Sequence, residues 1–263
     1  MPLGREVDIL EPSQLADAFT NKPDAVVNCA AFTQVDTCED QASHAFNVNA
    51  VGALNVARAC ADLGAHLLHI STDYVFAGDQ VFTGDKGQYS EEDATNPRNV
   101  YGMSKLAGEN LVTQTGANSA IVRVSSVYGS AGNGGRGGNF IETILKRGRE
   151  TGKLQVVDDV FMSPTYTVDA AKALNVLLEQ GFTGLTHVSS FARINWYTFA
   201  KHAVELTKVK AEVTPVPATT YPTKATRPAD SSLATTKLPK DARAAMSPWQ
   251  DALHAYLSEK GYL

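Results

Sequence analysis

Tyr101 and Lys105 stand four residues apart in the run Tyr101-Gly102-Met103-Ser104-Lys105. On a helix that spacing stacks both side chains on one face. A lysine ammonium beside a phenol favours the phenolate, so Tyr101 is expected to titrate below the ordinary tyrosine value of about 10. Such a tyrosine can give or take a proton near neutral pH, which reduction of a carbonyl requires. Thr72 is a second candidate donor. Two hydroxyls on one carbonyl oxygen would stabilise the charge that develops as hydride reaches the carbon. Each feature alone has an ordinary explanation. Most Tyr-x-x-x-Lys pairs are an amphipathic tyrosine beside a solvated lysine, and a threonine where a strand runs out is often a cap.

Further residues could complete a site. Asp73 and Tyr74 either line a substrate pocket or form a local turn anchored by the aspartate. Asn28 reads as a turn residue, and Asn49 as a helix-interior amide that ties backbone groups beneath the site. Arg227, followed by Pro228 and with Ser231 close behind, is either a planar fork for a phosphate or a surface arginine.

The elements that must position these residues can be read from pattern. Residues 24–30 (DAVVNCA) and 66–71 (HLLHIS) are apolar runs of strand length, and residues 120–127 form a third. Residues 5–9 read as the end of a short strand before a helix over 14–21. Helices are expected over 41–63, stopped by Gly64, and over 100–113, which carries Tyr101 and Lys105. Strands alternating with helices imply βαβ units and a parallel sheet, with ligands beyond the carboxyl ends of the strands. Residues 28–32, 71–76 and 125–129 lie at those ends, so separate segments converge on one crevice. In the last third, helices are expected over 140–150, 168–180, 196–208 and from Trp249 to near Lys260, with short strands at 154–157 and 186–189 and an extended stretch at 214–229. The division expected is a Rossmann-type cofactor region over residues 1–150 and, over 151–263, a substrate lobe packed on it as one compact unit.

Composition narrows the function classes. The chain has 263 residues, 43% hydrophobic and 19% charged, with a net charge of −5. Neither a basic arm nor a Lys/Arg run is present, so no nucleic-acid partner is expected. No apolar run approaches the ~18 residues of a membrane span, and the first residues lack a signal-peptide pattern. Cys29, Cys38 and Cys60 form no CxxC pair and are read as reduced thiols of a cytoplasmic protein, Cys29 as a buried packing residue. The histidines show no zinc-ligand spacing, so no metal is expected. Gly132-Asn133-Gly134-Gly135-Arg136-Gly137 matches the written form of a dinucleotide fingerprint. It begins several residues after its strand should end, and so many glycines suit a pliable loop better than a tight phosphate turn.

The motifs together resemble those of extended short-chain dehydrogenases, and within them the dTDP-4-dehydrorhamnose reductase family. They are Asn28-Cys29-Ala30-Ala31-Phe32-Thr33 with Val35-Asp36, Asn47-Val48-Asn49, Ser71-Thr72-Asp73-Tyr74-Val75-Phe76, and Asn99-Val100-Tyr101-Gly102 with Lys105-Leu106-Ala107-Gly108-Glu109. Later matches are Arg123, Val127-Tyr128, Asn139-Phe140, Pro164-Thr165, Trp196-Tyr197, Tyr221-Pro222, Arg227-Pro228 with Ser231 and Leu233, and Trp249. The resemblance implies a Rossmann-like α/β fold with a parallel sheet, flanking helices and a small C-terminal substrate lobe. It implies NADPH or NADH reducing the C4 ketone of dTDP-4-dehydro-L-rhamnose, with a sugar nucleotide as partner and a homodimer as an allowed assembly. Thr72, Tyr101 and Lys105 match the catalytic positions. Ala30, Ala31, Tyr101 and Lys105 match positions against the cofactor, to which Asn49 and Arg5 are added, Arg5 near an adenosine ribose. Thr33, Val35, Asp73 and Tyr74 match the sugar site, with Ser126 and Arg227 on the same side.

Two departures shape the expectations. The family opens with a strand and a GxxGxxG loop that cradles the cofactor pyrophosphate. Met1-Pro2-Leu3-Gly4-Arg5 aligns by character with the end of the family's second strand. The expectation is therefore a fragment of a longer product or a homologue with weakened cofactor binding, and an unpaired strand edge. Ser126 stands where the family usually has a tryptophan, which bears on substrate choice. The alternatives are another extended short-chain dehydrogenase, such as a sugar-nucleotide epimerase, and a non-catalytic homologue that binds a cofactor or partner.

Overall fold

The computed structural model describes residues 6–80, 87–131 and 138–263. Its main sheet is parallel, in the order β1-β2-β3-β8, from β1 (Ala25–Asn28), β2 (His66–Thr72), β3 (Ser119–Val124) and β8 (Gly184–His187). The short strands β4 (Val127–Tyr128) and β7 (Thr165–Tyr166) pair in parallel, β5 (Lys153–Val157) and β10 (Glu212–Val216) likewise, and β6 (Phe161–Met162) runs antiparallel to β9 (Ile194–Asn195). Helices α1 (Pro12–Ala18), α2 (Val35–Asp40), α3 (Ala42–Phe46), α4 (Ala53–Leu63), α5 (Val100–Thr113), α6 (Phe140–Thr151), α7 (Thr167–Glu179), α8 (Trp196–Thr207), α9 (Lys240–Ala244) and α10 (Trp249–Glu259) cover these sheets. β8 comes from the stretch expected to form the lobe, so sheet and lobe are interleaved in chain order.

Successive residues of a strand face opposite ways. In β2, Leu67 joins a core with Leu15 of α1 and Phe19 just after it, Val56 and Cys60 of α4, Val112 of α5 and Ile121 of β3. Leu68 joins the opposite core with Val122, Ala173 and Leu177 of α7 and Ala242 of α9. Apolar residues on both faces explain why the strands read as continuous hydrophobic runs. A third core, built on α6, α8 and α10 around Phe199, Leu145, Leu253 and Tyr256, draws residues from both sides of the division expected at 150/151. Among the described residues no helix is long and apolar enough to cross a membrane.

Four expectations are corrected. Residues 6–10 form turns, not a strand end, because the Asp8 carboxylate accepts from the Leu10 amide and the Asp8 carbonyl from the Glu11 amide. Cys29 is exposed, since β1 pairs only with β2 among the described residues and presents its outer side to solvent; Val27 is 38% exposed. The helix expected over 41–63 starts earlier, at Val35, breaks at Gln41 and passes through a π-helical turn, Asn47–Gly52, before α4. The strand expected over 120–127 stops at Val124, and Ser126 takes a left-handed φ of 43°. That conformation is uncommon for a residue with a Cβ and turns the chain out of the sheet at the crevice.

Candidate active site

β2 ends at Thr72, and the chain closes at once into a 3-10 turn, Asp73–Val75. The Thr72 hydroxyl caps this turn by accepting from the Tyr74 amide at 3.2 Å. α5 begins against the same turn. Its cap is Asn99, whose side chain accepts from the Gly102 amide at 2.8 Å and donates to the Thr226 carbonyl at 2.9 Å. Gly102 lets the helix approach: a Cβ there would lie 2.2 Å from the Tyr74 carbonyl oxygen. Backbone cannot swing aside as a side chain can. Gly102→Ala is therefore expected to cost about 1–3 kcal/mol, the range for overpacking. Urea unfolding against the parent chain measures it, and an unchanged midpoint would show that the turn yields freely.

This packing brings Tyr101 and Thr72 together, close enough for the Thr72 hydroxyl to favour the ionised phenol. Tyr74 lies edge-on to Tyr101, ring centroids 5.9 Å apart. Lys105 is 2% exposed and turned inward, where Nζ donates to the Ile70 carbonyl at 2.7 Å. Burial lowers its pKa from 10.5 to about 8, with Glu109 and Cys29 pulling the other way. The ammonium is thus held under the strand end without forming an ion pair with the phenol.

The expected depression of the Tyr101 pKa is not found. Burial raises it, and the Thr72 hydrogen bond offsets only part of that rise. Tyr101 therefore holds its proton at neutral pH. For reduction that is the useful state. The acceptor is a nascent alkoxide, whose conjugate acid has a pKa near that of water, about 15.7.

Asn49 bonds backbone and side chain beneath the crevice. Inside the π-helical turn and 1% exposed, it accepts from the Phe32 amide at 2.7 Å. It also donates to the Phe32 carbonyl at 3.1 Å and to the Ser104 hydroxyl at 2.9 Å. Asn28 steadies the same segment by accepting from the Ala30 amide at 3.1 Å. Ala30 and Ala31 are fixed between these two amides, at the end of β1. Thr33 is exposed on the loop that follows, and Val35 opens α2. The turn that carries Asn49 is π-helical, Asn47–Gly52, and such turns recur at functional sites.

Asp73 is held by hydroxyl groups from three segments. It is 4% exposed, and its carboxylate accepts from the hydroxyls of Thr72 at 3.1 Å, Ser125 at 2.9 Å and Ser231 at 2.5 Å. Burial pushes its pKa up to about 6 despite those donors. Arg227 is not free for a phosphate. It makes two hydrogen bonds to Asp36, at 3.1 and 2.7 Å, which hold that carboxyl down at about 2. It also lies near Tyr74, whose phenol burial raises to about 12. Sequence reasoning missed the Asp36 partnership and the convergence of Ser125 and Ser231, since nothing local in the sequence joins residues so far apart. Ser126 lies beside Ser125 at the β3 end, half-buried. Arg5 and the glycine run 132–137 lie outside the described residues.

A parallel sheet whose strand ends carry hydroxyl groups above a buried lysine defines the class: a Rossmann-type α/β protein. The comparisons narrow it. A family described as the RmlD substrate binding domain matches residues 2–261. The chain is 39% identical over 241 residues to the spore coat polysaccharide biosynthesis protein SpsK of Bacillus subtilis, covering 91% of this chain and 80% of that protein. It is 36% identical over 254 residues to a dTDP-4-dehydrorhamnose reductase of Mycobacterium tuberculosis, covering 95% and 81%. The crystal structure of dTDP-4-dehydrorhamnose reductase from Bacillus anthracis in complex with NADP superposes with a TM-score of 0.88 at 35% identity, covering 97% of this chain and 88% of that one. The chain belongs to the RmlD family.

Proposed function

We propose that this chain reduces the C4 ketone of dTDP-4-dehydro-L-rhamnose to the alcohol, with NADPH as reductant. The observation that carries the reading is the Thr72–Tyr101 hydroxyl pair above buried Lys105, at the carboxyl end of β2. The family membership and the NADP held by the Bacillus anthracis structure support the nucleotide substrate and the cofactor.

The residues fit a dinucleotide. Ala30 and Ala31 present small side chains at the end of β1, and a ring can approach the backbone there. The Lys105 ammonium has three hydrogens, and one goes to Ile70. The others would reach a ribose. When bound, reduced nicotinamide supplies the hydride for C4. Tyr101 gives its proton to the oxygen as the C=O double bond becomes a C–O single bond, which balances the reaction as ketone plus hydride plus proton. Thr72 is the second donor to that oxygen, and Lys105 steadies the phenolate left on Tyr101. Thr33, Val35 and Tyr74 border the space for the sugar, and Ser126 leaves room there that a tryptophan would fill.

The test is consumption of NADPH with dTDP-4-dehydro-L-rhamnose, with the product mass rising by two hydrogens. A C4 epimer formed with no net cofactor use would replace the reductase reading with the epimerase one. No turnover and no cofactor binding by calorimetry would leave a binding homologue.

A further inference from the structure

The hydrogen bonds around Thr72 admit two complete arrangements. A threonine hydroxyl has one proton and two lone pairs. In the structure the proton goes to Asp73 Oδ1 at 3.1 Å, and one lone pair takes the Tyr74 amide at 3.2 Å. The second lone pair is left on the crevice side, where the Tyr101 phenol lies close by. In this arrangement Thr72 cannot donate to a substrate.

We propose that Asp73 is a positioning residue that sets the direction of the Thr72 hydroxyl. As a carboxylate it draws the Thr72 proton to itself; as a carboxylic acid it donates to Thr72 Oγ1 and releases the Thr72 proton toward the substrate oxygen. The second arrangement is equally complete. The Asp73 hydroxyl and the Tyr74 amide fill the two lone pairs, and the Thr72 proton points into the crevice beside the Tyr101 phenol. The hydroxyls of Ser125 and Ser231 remain on Asp73 Oδ2 at 2.9 and 2.5 Å in both arrangements. These two serines tie the switch to the end of β3 and to the segment after Arg227, so it does not float with the turn. This inference rests on the reductase reading, because it assigns Thr72 to the carbonyl oxygen.

The surroundings allow both protonation states. All three side-chain partners of Asp73 are neutral hydroxyls. The titratable groups facing it are Tyr101 from α5 and Tyr74 from its own turn, both holding their protons. Asp36 and Arg227 lie beyond Tyr74 and bond each other, and Lys105 points to the Ile70 carbonyl. Burial then brings Asp73 to about 6.

Two measurements decide. The first is kcat and KM from about pH 5 to about pH 8, with blanks for cofactor decay, in the parent chain, Asp73→Asn and Asp73→Ala. In the asparagine variant the amide nitrogen can donate to Thr72 while its oxygen accepts from the serines, a fixed copy of the neutral state. The parent kcat is expected to fall about tenfold per pH unit above a midpoint near 6. Asp73→Asn should stay near the acid plateau throughout, and Asp73→Ala should be slow at every pH, with KM changed less than kcat. A parent profile flat across the midpoint, or the parent profile surviving in Asp73→Asn, overturns the proposal.

The second measurement needs no substrate. In protein labelled with ¹³C at aspartate carboxyls, the Asp73 signal, assigned by its loss in Asp73→Asn, is titrated in the parent and in Thr72→Val. Removing a donor to the ionised form should raise the midpoint. An unmoved midpoint overturns the coupling, even if no sugar nucleotide is turned over and the reductase reading has failed by itself.

Discussion

Tyr101→Phe is expected to lower kcat by roughly 10²–10⁴-fold, the usual contribution of a positioned acid. Cofactor affinity by calorimetry should change little, because the ring and its edge-on contact with Tyr74 at 5.9 Å remain. The argument is one of timing. A ketone binds with little charge on its oxygen, and the proton is needed only as the hydride arrives. The lost interaction is therefore made in the transition state, so kcat should fall and KM should hold. Lys105 adds a pH limit of its own. Its pKa is lowered to about 8, so it is charged below that value and neutral above. Neutral Lys105 no longer steadies the phenolate, and the rate of the parent chain is expected to decline further above about pH 8. A Tyr101→Phe rate within a few-fold of the parent would remove Tyr101 as proton donor and leave Thr72 or water in that role.

Much of this site was legible in the sequence because its chemistry is local. Tyr101 and Lys105 share a helix face by spacing alone. Thr72 follows an apolar run of strand length, so its place at a strand end needs no tertiary information. The parallel sheet was legible for the same reason, since strands buried on both faces leave an unbroken apolar signal. The electrostatics were not legible. Spacing says that Lys105 can stand near Tyr101, but the direction of each shift depends on burial, and burial outweighs the charge here. The π-helical turn was hidden because the run 41–63 keeps apolar residues near helical spacing while one turn is wound wider. The partners of Asp73 and Arg227 were hidden by distance: Ser231 is 158 residues from Asp73, and Arg227 is 191 from Asp36. A strand end tells where a crevice lies, and not which distant segment closes it.

Glu109→Leu is expected to destabilise the fold by about 3–5 kcal/mol, the range for stranding one member of a buried ion pair. Glu109 and Arg123 are nearly inaccessible, with side chains 6% and 5% exposed, and join α5 to β3 through two hydrogen bonds of 2.9 and 2.7 Å. Glu109 also accepts from the Ser71 hydroxyl at 2.5 Å, so one carboxylate links the tyrosine helix to two strands. Among the described residues Arg123 has no second acceptor to turn to. Its Nη1 already lacks a hydrogen-bond partner, and its other neighbour is the face of Phe76, 5.1 Å from the ring centroid. Cation–π attraction of about 0.5–2 kcal/mol cannot replace a bidentate carboxylate for a desolvated guanidinium. The double variant Glu109→Leu, Arg123→Met removes both charges and should recover most of the loss, because apolar replacements of buried pairs are often neutral. Urea unfolding of the parent, both single variants and the double variant gives the coupling as a cycle. If the double variant loses as much as the sum of the singles, the pair contributes through shape, and the α5–β3 junction that aims Tyr101 at Thr72 rests on packing instead.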